Sequence, residues 1–348
     1  MPSILAYGAV EQGSAVSALN IERRETGPCD VKIQILFCGI CGSDLHAIRN
    51  DWKDTTYPLV PGHEIVGKIT ELGSQAFLHF KVGDKVAVGC MVDSCRECSD
   101  CKEGFEQYCQ AGTYTYNSFD QHLNQMTFGG FSESIVVDQK FVFKIPDNLD
   151  LAGAAPLLCA GITPYSALRH WNIGKGSKVG VVGLGGLGHM GVKLAAALGA
   201  DVTLFTTSPD KIEEGKRLGA TRVVLSTDAE QMKECANSLD LILNTASAQV
   251  KLDNYVALLK REGTLCLLGV PAIQEEPVTT ADLIFRRRHI SGSMIGGPKE
   301  TQELLDFCAE HQITADVELI GSTAEEINNA LDRLRKGDVK YRFVIRMG

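Results

Sequence analysis

Between residues 31 and 38 the chain alternates Val31, Ile33, Ile35 and Phe37 with Lys32, Gln34 and Leu36, and stops at Gly39. That period of two belongs to a half-buried strand. Short runs of the same kind follow at residues 65–70, 85–88, 133–137 and 141–145, separated by Gly, Asp and Pro. Short strands punctuated by turn residues predict a partly closed, β-barrel-like first domain. From about Gly176 the pattern changes. Apolar strands at 178–182, 202–205, 222–225, 239–244, 264–268 and 290–293 alternate with helical segments such as 187–198 and 211–218. Six strands with intervening helices predict a doubly wound parallel sheet, an α/β architecture. After Gly296-Gly297-Pro298 a helix at 300–310 and a closing strand at 341–345 suit a return to the first domain. The expected organisation is a catalytic domain over 1–153, a dinucleotide domain over 154–296 and a C-terminal return over 297–348. No repeat of solenoid length and no low-complexity segment interrupts it.

A chain of 348 residues suits two domains, each able to bury its own core. A net charge of −9 argues against nucleic acid or anionic membrane as a partner, because both need a basic surface. The one dense basic run, Arg286-Arg287-Arg288, is expected to be a solvated helix end. No apolar stretch approaches the roughly 20 residues of a membrane span. The start, Met1-Pro2-Ser3-Ile4, lacks the basic head and apolar run of a signal peptide, so the expected location is cytoplasmic. In a reducing compartment twelve cysteines argue for metal ligation rather than disulfides.

Their placement sharpens that reading. Cys95-x-x-Cys98-x-x-Cys101 followed by Cys109, in a polar lobe over about residues 90–112, can close a tetrahedral shell around zinc with no open position, which makes a structural site. Gly183-Leu184-Gly185-Gly186-Leu187-Gly188 directly follows an apolar strand and opens a helix, the context of a dinucleotide fingerprint. Its glycines let the backbone approach a pyrophosphate at the helix N-terminus. About 20 residues on, an NAD-binding sheet places an acidic residue on the ribose. Here the strand tip reads Thr206-Thr207-Ser208, with Lys211 one turn later. Hydroxyls and an ammonium suit the 2′-phosphate of NADP, which a carboxylate would repel. A bare helix cap at Ser208 is compatible with the same residues. Cys41, His46, His63 and Cys159 are scattered, and spacing alone does not make them a metal site. Cys38-x-x-Cys41 mimics a redox pair, but Cys38 lies inside a strand pattern without a thioredoxin-like context.

Together these motifs resemble the zinc-dependent medium-chain alcohol dehydrogenases. Within them they resemble the cinnamyl alcohol dehydrogenase branch with its bacterial broad-range NADP-dependent aldehyde reductases. The resemblance runs from Pro28 to Ile345 through Cys41-Gly-Ser-Asp-Leu-His46, Pro61-Gly-His-Glu-Ile-Val-Gly67, the four-cysteine lobe, Leu158-Cys-Ala-Gly-Ile-Thr163, Gly183-Leu-Gly-Gly-Leu-Gly-His-Met-Gly191 and Val339-Lys-Tyr-Arg-Phe-Val344. It implies a GroES-like, partly open β-barrel catalytic domain joined to a Rossmann domain, with the active site in the cleft between them. It implies that Cys41, His63 and Cys159 bind a catalytic zinc, that Glu64 is an alternate ligand beside it, and that Asp44 orients the zinc histidine. Ser43 and His46 match a relay that carries a proton from solvent toward the alkoxide. Thr163 matches a residue near the nicotinamide, and Thr206, Thr207, Ser208 and Lys211 match the 2′-phosphate pocket. Trp52, Tyr114, Met294 and Ile295 fall where the branch lines its substrate pocket, although Trp52 in its polar segment also reads as a partly exposed loop aromatic. Gly42 departs from the pattern, since many relatives carry His or Arg there, close to the cofactor phosphates.

The expected protein is an enzyme carrying two zinc ions per chain. It reduces aromatic and medium-chain aldehydes to primary alcohols with NADPH, as a homodimer paired through the edge of its dinucleotide sheet. A polyol or secondary alcohol dehydrogenase of the same fold is the nearest rival, and the acid-free strand tip argues against it. A non-catalytic NADPH-binding protein would have no use for a metal triad with a relay.

Overall fold

The computed structural model describes residues 3–121, 123–246, 249–270 and 278–347; the start at Met1-Pro2 and the final Gly348, both inside the expected domain spans, lie outside them. The chain divides into two compact units, Met1–Ile162 with Gly296–Gly348, and Thr163–Ile295.

The first unit is organised on the strand Asp30–Ile40. Val31, Ile33 and Ile35 are buried while Gln34 is exposed, as the alternation requires. A register shift between Ile35 and Phe37 then flips the parity, so that Cys38 and Ile40 turn inward. One edge of this strand pairs with Glu64–Leu72. The other is shared by Ser134–Asp138 over its first half and Arg342–Arg346 over its second. Lys85–Val88, Phe143–Lys144 and Val317–Ile320 complete an open seven-stranded sheet. The C-terminal strand therefore delivers its first residue, Arg342, beside the end of the central strand, where Ile40 pairs with Phe343. The strand expected at 141–145 shrinks to Phe143–Lys144, because Asp138 accepts a hydrogen bond from Lys140 N at 2.9 Å and fixes a 3-10 turn at Gln139–Phe141.

The second unit is a six-stranded, wholly parallel sheet in the order Arg222–Leu225, Asp201–Thr206, Lys178–Val182, Leu239–Asn244, Leu259–Leu267, His289–Gly292. The first strand in sequence lies at its centre and the order reverses beside it, the switch point at which such sheets bind dinucleotides. Lys178–Val182 is buried from its second residue onward, as a strand covered on both faces must be. The basic run does not behave as one solvated end. Arg287 pairs with Glu262, but Arg288 is only 8% exposed and donates to the carbonyls of Leu259 and Asp282 and to Asn237 Oδ1, serving as an internal strut. Its five donors match carbonyls that a lysine could not reach together. Among the described residues no single helix is long and apolar enough to cross a membrane.

Candidate functional site

The helix Gly42–Arg49 starts where the central strand ends, with Cys41 as its extended N-cap. Asp44, one turn in and fully buried, accepts hydrogen bonds from Cys41 N at 2.7 Å and Gly62 N at 3.0 Å. One carboxylate thus ties the helix start to the loop before Glu64–Leu72. Gly62 adopts φ +101° where a Cβ would meet Phe131 and Cys38, so only glycine fits and His63 is aimed inward. His63 Nδ1 lies 3.4 Å from Asp44 Oδ1, while its Nε2 is buried without a partner. Cys159, brought in by the turn Ala155–Leu158, places its sulfur 3.8 Å from that of Cys41. The ligand atoms of Cys41, His63, Glu64 and Cys159 all lie within 4.8 Å of one another.

The electrostatics follow from that crowding. The Cys41 thiol is held well below its ordinary value, chiefly because Cys159 hydrogen-bonds to it; burial opposes this, and Arg342 and His63 assist. Cys159 is pushed up by its contacts with the Cys41 and Cys90 thiols and by burial. Burial lowers His63, but the charges of Cys90 and Asp44 and its hydrogen bonds outweigh burial and raise it. Glu64 is raised by burial while Arg342 pulls it back. Arg342 is itself fully enclosed. Its Nη2 lies 2.8 Å from Glu64 Oε1 and 3.5 Å from Cys41 Sγ, and its Nη1 donates to Ile40 O at 3.3 Å.

Cys95, Cys98, Cys101 and Cys109 form a second group within the same 4.8 Å limit. Backbone N–H groups of Glu97 and Cys98 pull Cys95 down to about 6. Two thiols and an imidazole with an orphaned buried nitrogen, and separately four converging thiols, are donor sets that suit a catalytic and a structural zinc respectively.

Ser43 and His46 share the helix Gly42–Arg49 with Asp44. His46 Nδ1 is 2.8 Å from Asp51 Oδ2, and its ring packs 5.2 Å from that of Trp52, whose buried Nε1 has no partner. The ring of Tyr116 lies 5.6 Å from that of His63, and its hydroxyl interacts with Asp44 and Ser43. Asp51, Tyr116 and Arg342 were not singled out by their sequence positions. Of these only Asp51 carried a local signal, five residues after His46.

In the second unit Gly183 takes φ +89°, and a Cβ on Gly188 would overlap the Gly183 carbonyl, so both glycines are required by the loop. The helix Gly186–Ala197 opens immediately after, with nothing within 4 Å of a Cβ built on Gly185. Leu187 lies in its first turn, half-buried. Thr206 is buried at the tip of Asp201–Thr206 and accepts from Ser208 N at 3.2 Å. Thr207 is exposed, and Lys211 Nζ donates to Leu184 O at 3.2 Å, joining the strand tip to the glycine loop. Thr163 is buried in Ile162–His170. Trp52 and Tyr114 belong to the first unit, Met294 and Ile295 to the second. A Cβ on Gly42 would meet nothing within 4 Å, so the space beside it is open.

Residues 27–147 match the alcohol dehydrogenase GroES-like domain and residues 186–310 the zinc-binding dehydrogenase domain. The chain is 53% identical to the aldehyde reductase YahK of Escherichia coli K12 over 98% of its own length and 97% of that protein. It is 52% identical to the NADP-dependent alcohol dehydrogenase C 1 of Mycolicibacterium smegmatis, over 99% and 98% of the two chains. A cinnamyl alcohol dehydrogenase of Sorghum bicolor superposes with a TM-score of 0.96 at 43% identity, covering 99% of this chain and 98% of that one.

Proposed function

Since the chain belongs to the zinc-binding alcohol dehydrogenases, we propose that it is an NADP(H)-dependent alcohol dehydrogenase running as an aldehyde reductase, turning aromatic and medium-chain aldehydes into primary alcohols. The observation that carries this reading is the buried group of Cys41, His63 and Cys159, with His63 Nε2 facing inward unpaired. A zinc ion held by these three supplies Lewis acidity toward a carbonyl oxygen, and one enclosed by the four-cysteine lobe supplies folding energy. Residues 183–188 would hold NADPH, which would supply the hydride.

The remaining work falls to the chain. Asp44 fixes the tautomer and direction of His63 while anchoring the backbone N–H groups of Cys41 and Gly62. Ser43 and His46 pass a proton to the alkoxide oxygen, and Asp51 holds His46 by Nδ1 so that the other ring nitrogen exchanges the proton. Thr206, Thr207, Ser208 and Lys211 would receive the 2′-phosphate, and Thr163 would face the nicotinamide. Trp52, Tyr114, Met294 and Ile295 are large and apolar, which favours a flat or extended apolar aldehyde over a hydrated polyol. In this reading the first unit is the catalytic domain and the second holds the cofactor. The reading includes a homodimer joined at His289–Gly292, an edge strand that among the described residues has a single pairing partner, and near which Ile284 and Phe285 are 69% and 81% exposed. A cytoplasmic location accords with twelve free cysteines.

The test is a panel followed by NADPH absorbance at 340 nm. Benzaldehyde, cinnamaldehyde and hexanal should exceed acetaldehyde and glyceraldehyde in kcat/KM, since each buried methylene contributes roughly 0.8 kcal/mol. Acetaldehyde at or above benzaldehyde and hexanal would refute the pocket.

A further inference from the structure

His189, wholly buried, follows directly on the glycine loop as the fourth residue of the helix Gly186–Ala197. Side chains on a helix lean toward its N-terminus, so the ring reaches back along its own first turn. Its Nδ1 lies 2.7 Å from Gly186 O and 3.2 Å from Gly185 O. Both partners are carbonyl oxygens, which only accept, so Nδ1 carries the proton and donates to both. The backbone N–H of His189 also donates to Gly185 O, at 3.0 Å. One residue thus holds two consecutive peptide groups of the loop.

The place of those peptides gives the contact a use. A carbonyl and the N–H of the next residue belong to one amide, so Gly185 O is conjugated with Gly186 N–H and Gly186 O with Leu187 N–H. These N–H groups open the helix, where the ladder supplies them no partner. They are the donors that a helix N-terminus offers to a phosphate. A hydrogen bond to the carbonyl end polarises an amide and strengthens its N–H as a donor. The other side of the loop is fixed by packing, since a Cβ on Gly188 would overlap Gly183 O and crowd Thr245 Oγ1, which donates to Val182 O at 2.8 Å.

We propose that His189 is a positioning residue for the cofactor's pyrophosphate: from Nδ1 it orients and polarises the peptides Gly185-Gly186 and Gly186-Leu187, whose N–H groups receive the phosphate oxygens. This rests on the reading that residues 183–188 hold NADPH. Packing at Gly188 decides where the loop lies, and the imidazole decides which way its peptide planes face. Because His189 acts through the loop, its effect is confined to ligands that carry a phosphate there.

Calorimetric titration with NADPH and with 2′-AMP separates this role from a general loosening of the fold, since 2′-AMP carries the 2′-phosphate but no pyrophosphate. His189→Leu should bind NADPH at least about tenfold more weakly, a difference of about 1.4 kcal/mol, and 2′-AMP as tightly as wild type. His189→Asn places an amide nitrogen where Nδ1 stood and should recover part of the NADPH affinity. His189→Gln carries its amide nitrogen out to the place of Nε2 and should not. A His189→Leu protein that binds NADPH like wild type, or that loses affinity equally for both ligands, overturns the proposal. Should His189→Leu fail to fold, the Asn and Gln variants decide, and equal NADPH affinities count against the proposal. Wild-type protein that binds neither ligand would instead overturn the placing of NADPH on this unit.

Discussion

Asp44→Asn tests how the catalytic group is held together. In the native chain the fully buried Asp44 carboxylate accepts from Cys41 N at 2.7 Å and Gly62 N at 3.0 Å, and lies 3.4 Å from His63 Nδ1. An amide of the same shape keeps one acceptor oxygen but turns an NH2 group toward the other donor. One buried N–H is left unpaired, at a cost of about 1–3 kcal/mol. Asp44→Ala abandons both, and the cost rises to about 2–6 kcal/mol. Asp44→Ala also removes the orienting partner of His63 and Asp44→Asn strips that partner of its charge, which should weaken metal binding about 10–100-fold. The assays are urea unfolding and competition for zinc by a chromogenic chelator. Asp44→Asn should unfold at lower urea and yield its catalytic zinc first, and Asp44→Ala should be worse on both counts. If Asp44→Asn kept wild-type stability and zinc affinity, the carboxylate would not be the joint between the two loops and the histidine.

For the relay, Ser43→Ala should lower turnover about 100-fold, within the usual range for a positioned proton-transfer group, while His46→Gln costs less because water can replace a distal member; an unchanged rate in Ser43→Ala would end that proton path. Coenzyme choice follows from the acid-free strand tip: NADPH should exceed NADH at least about tenfold in kcat/KM, about 1.4 kcal/mol, and Thr207→Asp should erode the ratio, so equal use of the two by the native chain would contradict the pocket. Gly188→Ala should abolish NADPH binding, because its Cβ would overlap the Gly183 carbonyl inside the glycine loop, and cofactor-fluorescence titration reads this directly; a normal Kd would show that the loop has room.

What the sequence disclosed depended on how local each signal was. The glycine loop and four-cysteine lobe could be located because their spacing lies within one turn or one lobe, and each residue type had no simpler use there. The catalytic group was different. Cys41, His63 and Cys159 are brought together by a strand end, a glycine-shaped loop and a turn, and only the family resemblance joined them beforehand. Arg342 was missed although its motif had been noted, because its partners Glu64 and Cys41 become neighbours only when the C-terminal strand returns to Asp30–Ile40. Arg288 was misjudged for a related reason. A basic run suggests solvation, and only the fold reveals carbonyls within reach of one guanidinium. Lost strand length at 141–145 has a local cause, the Asp138 cap, that hydrophobic periodicity does not register.

The central claim, that aldehyde reduction depends on zinc held by Cys41, His63 and Cys159, meets its most direct test in one titration. Zinc content and NADPH oxidation with benzaldehyde are measured together while a chelator strips freshly purified protein. The account predicts two zinc ions per chain at the outset and a rate that falls to zero as one of them is lost, with the other still bound. Fewer than two at the outset, or a rate that survives loss of the first, would contradict it.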